Sequence, residues 1–200
     1  MSTLPDRAIR TPRFDGNSDA FLDDLLVWIE AIGSHRYDEA VTQYEHALQC
    51  AHLAEKNGGS ASLIAASLLH DVGHLLMHSR RRRGEGTQTD LHHEEVGAKW
   101  LQRFFVPDVV EAVRLHVPAK RYLCAVEPSY WDGLSSASKH SLALQGGPMN
   151  EPERDAFASR PNCPDAVSLR RYDDGAKVCG AEVPPLAHYR SVLLESLLAT

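Results

Sequence analysis

From Ser18 onward, apolar residues recur at helical spacing. Phe21, Leu22, Leu25, Leu26, Trp28, Ile29 and Ile32 form one face behind a cap-like Ser-Asp, and Gly33 supplies a stop. Residues 41–57 are rich in helix formers and end at Gly58-Gly59, which predicts a second helix carrying His46. Residues 60–72 predict a third, running straight into LLHDVGHLL at 68–76. If that helix is continuous, His70 and His74 share a face and Asp71 is turned by about 100°. The segment 78–90, HSRRRRGEGTQTD, breaks the pattern and reads as a solvated loop. Beyond it HHEEVGAKWLQRF predicts a fourth helix and PDVVEAVRLH a fifth, with Pro107 near its first turn. PAKRYLCAV follows at once, and short helices continue to Ser141. No stretch alternates as a strand does, and there is no Asn-Gly hairpin, so the expected fold is all α.

With 200 residues, the chain has room for one domain with a sizeable core; residues 18–200 are assigned to it and residues 1–17 to a flexible segment. With 27 acidic against 21 basic residues, a broad nucleic-acid or membrane surface is not expected. No apolar run approaches the ~20 residues of a membrane span, and the expected location is cytoplasmic. Cys50, Cys124, Cys163 and Cys179 lie far apart with no C-x-x-C, so reduced thiols are expected.

The unusual feature is 11 histidines. His70 and Asp71 sit in a run otherwise fit for burial, where an unpaired imidazole or carboxylate costs several kcal/mol. A lone His-Asp pair would equally suit a core histidine bonded to a carboxylate. The pair has company, however: His46, His93 and His116 fall on predicted helices, and Asp173 follows in SLRRYDDGAK. The order H…HD…H…H…D is that of a metal site for zinc, iron, manganese or nickel. Six such donors exceed one tetrahedral ion and suit two ions sharing a carboxylate.

This motif resembles the HD-domain superfamily, whose members are mostly metal-dependent phosphohydrolases with an oxygenase branch. The chain more closely resembles the diiron oxygenases that cleave the carbon-phosphorus bond of 1-hydroxy-2-aminoethylphosphonates. The likeness rests on EAVTQYEHALQCA, LLHDVGH, HEEVGA, HVPAKRYL, LSSASKHSLALQGGPMNEPER, RRYDDGAK and HYR, from about Glu39 to the C-terminus. It implies iron ligands His46, His70, Asp71, His93, His116 and Asp173, with Asp71 bridging an Fe(II)/Fe(III) pair. His93 is chosen over His92 because the family histidine directly precedes Glu and stands four before Gly, here Gly97.

By the same resemblance His74 faces the substrate, and Lys120, Ser138, Ser141, Gln145 and Arg170 meet the phosphonate; no catalytic residue beyond the metal ligands is implied. Glu39 is the residue that contacts the amine. Where the family has a tyrosine this chain has Arg36, with Tyr37 beside it, and a repositioned tyrosine suits a trimethylammonium by cation-π contact. Trp131 is a candidate pocket wall, while Trp28 and Trp100 are assigned to the core. The remaining histidines, His35, His52, His78, His92, His140 and His188, are assigned surface or structural roles.

The implied activity is O2-dependent cleavage of a 1-hydroxy-2-(trimethylammonio or amino)ethylphosphonate to phosphate and glycine betaine or glycine. The expected partners are the small phosphonate and O2; the oligomeric state is not legible. The alternatives are an HD-type phosphohydrolase acting on a phosphate ester or nucleotide, and a non-catalytic HD module, which would be expected to lack some ligands.

Overall fold

The computed structural model describes residues 10–34, 41–82 and 92–199, with side chains from 80 to 82 left aside. Among the described residues its elements are helices, joined by turns and irregular segments, and Phe105 and Leu197 form an isolated bridge. Helix α1 (Ser18–Ile32) starts on the Asn17 side chain, and α2 (Gln43–Lys56) on a capping box made by Thr42 and Glu45. Helix α3 (Ala61–Leu69) is capped by Ser60 and buries every residue from Leu63 to Leu69. A helix apolar all round belongs at the centre of a bundle, and α3 packs against α2, α6 (Pro107–Val126), α10 (Cys163–Gly175) and α11 (Arg190–Glu195).

The expected continuous helix through the His-Asp motif is corrected. Helix α3 ends at Leu69, His70 and Asp71 form a turn, and α4 (Val72–Arg82) begins anew. His70 and His74 therefore do not share one helical face. At the turn the His70 ring takes the Ser67 carbonyl through Nδ1 at 2.9 Å, while the His74 N–H donates to the Asp71 carbonyl at 2.9 Å. The loop expected from His78 is also corrected, since α4 persists to Arg82. Arginine is a good helix former, and the first glycine comes only at Gly84.

Helix α5 (His93–Leu101) crosses α4 at very close range. A Cβ on Gly73 would stand 2.0 Å from the His93 carbonyl oxygen, and one on Gly97 would stand 3.2 Å from the Gly73 nitrogen. These two glycines let backbone meet backbone and bring His93 to the His-Asp turn. The fifth expected helix and the segment after it form one helix, α6, which continues through Pro118. The missing proline N–H forfeits one helical bond, but packing against α3, α5 and α10 keeps the helix whole.

The short helices α7 (Tyr130–Gly133), α8 (Ser136–Leu144) and α9 (Glu151–Ala158) lead to α10, and a 3-10 turn (Leu186–Tyr189) leads to α11. The main core includes Trp28 and Trp100, whose rings lie 5.9 Å apart. A smaller core joins Leu115 and Ala119 to Phe157, Cys163 and Ala166. Within the segment 1–17 assigned to flexibility, Pro12 is buried and Phe14 packs edge-on against Phe21.

Candidate metal centre and anion pocket

Five elements, α2, the α3–α4 turn, α5, α6 and α10, aim imidazoles and carboxylates at one buried point. His46 lies on α2, His70 and Asp71 in the turn, His93 on α5, His116 on α6 and Asp173 on α10. Two groups form around Asp71. In one, His46 Nε2 lies 3.2 Å from His70 Nε2 and 3.3 Å from Asp173 Oδ1, and Asp71 Oδ2 stands 3.5 Å from His70 Nε2 and 3.9 Å from His46 Nε2. In the other, His93 Nε2 lies 3.2 Å from His116 Nε2, with Asp71 Oδ1 at 3.4 and 4.0 Å from those two nitrogens. Two donors at about 2.1 Å from a common ion stand roughly 3 to 3.5 Å apart, so both groups have coordination spacing. Each oxygen of Asp71 faces a different group.

The donor chemistry fits cations. His46 Nδ1 bonds the Ala176 carbonyl at 2.8 Å, His70 Nδ1 the Ser67 carbonyl and His116 Nδ1 the Val113 carbonyl at 2.7 Å. A carbonyl only accepts, so each Nδ1 carries a proton and each ring turns its Nε2 inward. The Nε2 atoms of His46 and His70, 3.2 Å apart, are close enough to share a proton or to hold one cation between them. Asp71 Oδ2 is buried with no hydrogen-bond partner, a cost that a cation relieves.

The electrostatics agree. Burial alone would raise the Asp71 carboxyl, but His70, His93 and His74 around it hold it well below the usual carboxylate range. Asp173 is likewise held low by Arg170 and His46 against burial. Burial pushes His70 down, and burial together with the neighbouring His93 and His70 pushes His116 well down, so both present neutral rings. Against burial, Cys50 and Asp173 raise His46, and Asp71 raises His93.

Lys120 stands one turn after His116 on α6 and is only 2% exposed. Its Nζ donates to Ser141 Oγ at 2.7 Å, and Ser141 in turn donates to the Ser138 carbonyl at 3.1 Å. Burial, then the charge of Arg170, lowers the Lys120 pKa to about 8. Ser138 is buried at the start of α8. Gln145 sits at the C-terminal end of the same helix, its Oε1 buried and without a hydrogen-bond partner. The turn after it uses Gly146 and Gly147, with φ of 95° and 72°, conformations that glycine adopts freely.

Arg170, 4% exposed, is engaged by acids: Nη1 donates to Asp173 Oδ2 at 2.7 Å, Nη2 to Asp174 Oδ1, and Nε to Asp174 Oδ2 at 3.1 Å and Tyr130 Oη at 3.2 Å. All three of its nitrogens are thus engaged. His74 stacks on His93, with ring centroids 4.0 Å apart. Trp131 is 41% exposed, beneath Lys139 at 5.7 Å. Arg36, Tyr37 and Glu39 lie outside the described residues.

Sequence reasoning missed several residues around the site. Cys50 Sγ lies 3.8 Å from His46 Nε2, one turn further along α2. Arg121 donates to the Gly147 carbonyl at 2.8 Å and to Glu153, pinning the turn after Gln145. Asp174 was in view as the acid four after Arg170, a spacing that pairs on a helix; Tyr130 sent no signal, because its partner is 44 residues away.

The HD domain family matches residues 43–157, a span that ends before Arg170 and Asp173 on α10. Over 159 residues the chain is 50% identical to hydroxymethylphosphonate dioxygenase of Gimesia maris, covering 80% of this chain and 79% of the relative. Over 171 residues it is 43% identical to [1-hydroxy-2-(trimethylamino)ethyl]phosphonate dioxygenase (glycine-betaine-forming) of Leisingera caerulea, covering 83% and 87%. An uncharacterized protein of Acanthamoeba polyphaga mimivirus is 35% identical over 166 residues, 82% of this chain and 76% of that one. With its helical bundle, its buried His-Asp cluster and this extent of likeness, the chain belongs to the HD-domain family.

Proposed function

We propose that this chain is a dioxygenase that cleaves the carbon-phosphorus bond of a 1-hydroxyphosphonate at a centre of two iron ions, Fe(II) and Fe(III). The observation that carries the reading is the pairing of two imidazole-carboxylate groups around one shared Asp71 with a buried ammonium one helical turn away. His46, His70 and Asp173 would hold one ion, His93 and His116 the other, and Asp71 both. The ions supply Lewis acidity and redox chemistry toward O2.

The chain's own part is binding and orientation. The Lys120 ammonium and the Ser141 hydroxyl meet the phosphonate, and Ser138 and Gln145 line the same helix. A dianion there offsets the burial of Lys120, which has one described hydrogen bond, to Ser141. Arg170 adds its positive charge beside Lys120 while it pairs with Asp173 and Asp174. The His70, His116 and Lys120 side chains are all buried, which keeps bulk water from competing with these contacts.

The two named relatives differ beyond C1: one name gives a hydroxymethyl compound with no amine, the other a trimethylamino group. C1, its hydroxyl and the phosphonate are common to these and to the expected amino compound. The overall balance is one O2 taken up, the carbon-phosphorus bond broken, and phosphate and a carboxylic acid formed. The runner-up, a phosphohydrolase, uses the same metal chemistry to activate water.

Iron-loaded protein should release one phosphate per O2 consumed from at least one of hydroxymethylphosphonate, 1-hydroxy-2-aminoethylphosphonate and its trimethylammonio analogue. It should also show a coupled mixed-valent EPR signal that changes on adding the substrate. Phosphate release from a phosphate monoester without O2, and none from the three hydroxyphosphonates, would move the assignment to a hydrolase.

A further inference from the structure

We propose that Tyr130 and Asp174 form a clamp that fixes Arg170 against Asp173 and so sets the strength of the metal site made by His46, His70 and Asp173. The inference rests on the two-metal reading above. Asp174 takes Arg170 as a fork, one carboxylate oxygen on Nη2 and the other on Nε. Tyr130 closes the arrangement, donating its hydroxyl to Asp174 Oδ2 and lying 3.2 Å from Arg170 Nε. A planar guanidinium held along that edge has its remaining nitrogen directed one way, and here Nη1 reaches Asp173 Oδ2 at 2.7 Å. The other oxygen of Asp173 faces His46 Nε2 at 3.3 Å. The guanidinium thus occupies the outer oxygen and leaves the inner one for a cation.

Tyr130 comes from α7, and the chain then runs through buried Leu134 and the cap Ser135 into α8, which carries Ser138, Ser141 and Gln145. The Tyr130–Asp174 bond therefore also ties the segment leading to the phosphonate helix to the helix carrying the metal ligand. His93 and His116, on α5 and α6, have no described contact with Tyr130 or Asp174. Tyr130 and Asp174 are positioning residues: they act on the metal through Arg170 and Asp173. A partner of this kind typically changes metal affinity by about 10- to 100-fold.

The test is cobalt(II) titration of the full-length, metal-stripped chain against a competing chromophoric chelator. Asp174→Asn keeps the shape and removes the charged fork; it should weaken one of the two binding events by about 10- to 100-fold and leave the other within about twofold. Tyr130→Phe removes one hydroxyl from a half-buried side chain and should weaken the same event, by less. Glu127→Gln breaks the surface pair with Arg171, one residue from Arg170, and should change neither event. If Asp174→Asn does not fold, Tyr130→Phe alone decides: an unchanged isotherm overturns the clamp. Wild-type isotherms in both variants, or equal weakening of both events, would overturn it too. A single binding event in the wild-type chain would overturn the two-metal reading, and the clamp would then stand or fall on whether that one affinity drops.

Discussion

At the proposed metal centre His46, His70 and His116 are each oriented by a backbone carbonyl, whereas at the proposed anion pocket Lys120 is oriented by a hydroxyl on another helix. The first arrangement is fixed as soon as α2, α3, α6 and α10 pack, because a carbonyl one turn back, or Ala176 at the end of α10, cannot swing away. The second depends on α8 docking and on Arg121 holding the Gly147 carbonyl. The metal end is therefore preorganised by the core, and the phosphonate end by side chains that bridge between helices. Damage at the two ends should read out differently, as lost metal at one and as lost affinity at the other.

The largest effect is expected from Asp71→Ala, since among the described residues Asp71 is the one whose two oxygens face both ligand groups. Turnover should fall to background and bound iron should drop, as measured by metal analysis of the purified variant. Full iron loading with near-normal turnover would break the comparison at its metal end. Lys120→Ala should do the reverse: iron content stays, and substrate affinity falls by roughly 10- to 100-fold, the equivalent of about 1.5 to 3 kcal/mol for a charge-assisted bond. Isothermal titration with the hydroxyphosphonate measures it. Lost iron with normal affinity would make Lys120 part of the metal scaffold.

This division also explains what could be read from the chain alone. The H…HD…H…H…D order survives in a sequence because metal ligands must be those residue types, and Gly73 and Gly97 stand in the motifs beside His70 and His93. The helix break at His70-Asp71 has no proline to mark it, and Gly73 falls inside α4, so an apolar run read as one helix. Conversely, Pro118 looked like a boundary and is held inside α6 by tertiary packing. Arg170 reads only as a phosphonate contact, because the sequence does not show which of its neighbours face it. Its commitment to Asp173, Asp174 and Tyr130 is a property of α10 meeting α7.

A pH series sharpens the phosphonate end. Lys120 titrates near 8, lowered first by burial and then by Arg170. An anion binds the protonated form, so kcat/KM should be level below that pH and decline as pH rises through it. Proton loss there removes the ammonium without touching the metal ligands. Lys120→Arg keeps its charge throughout this range and should abolish the decline, though its planar fork does not reproduce the ammonium contact and overall affinity should be lower. A decline that persists unchanged in Lys120→Arg would assign it to another group.

The smallest effect is expected one step further from the substrate, at Arg121. Its Nε bonds the Gly147 carbonyl at 2.8 Å and its Nη2 reaches both oxygens of Glu153, so it joins the turn after Gln145 to the start of α9. Arg121 touches none of the metal ligands. In Arg121→Gln the turn loses a hydrogen bond of about 0.5 to 1.5 kcal/mol, and Gln145 is placed less often where the phosphonate needs it. Substrate affinity should fall by about 2- to 12-fold, with iron content and kcat near those of the wild type. The pair with exposed Glu153 adds little, so Glu153→Gln alone should leave affinity almost unchanged. If Arg121→Gln instead lowered kcat with affinity intact, the turn would be acting on the reacting carbon, and the separation between a core-built metal end and a side-chain-built phosphonate end would not hold.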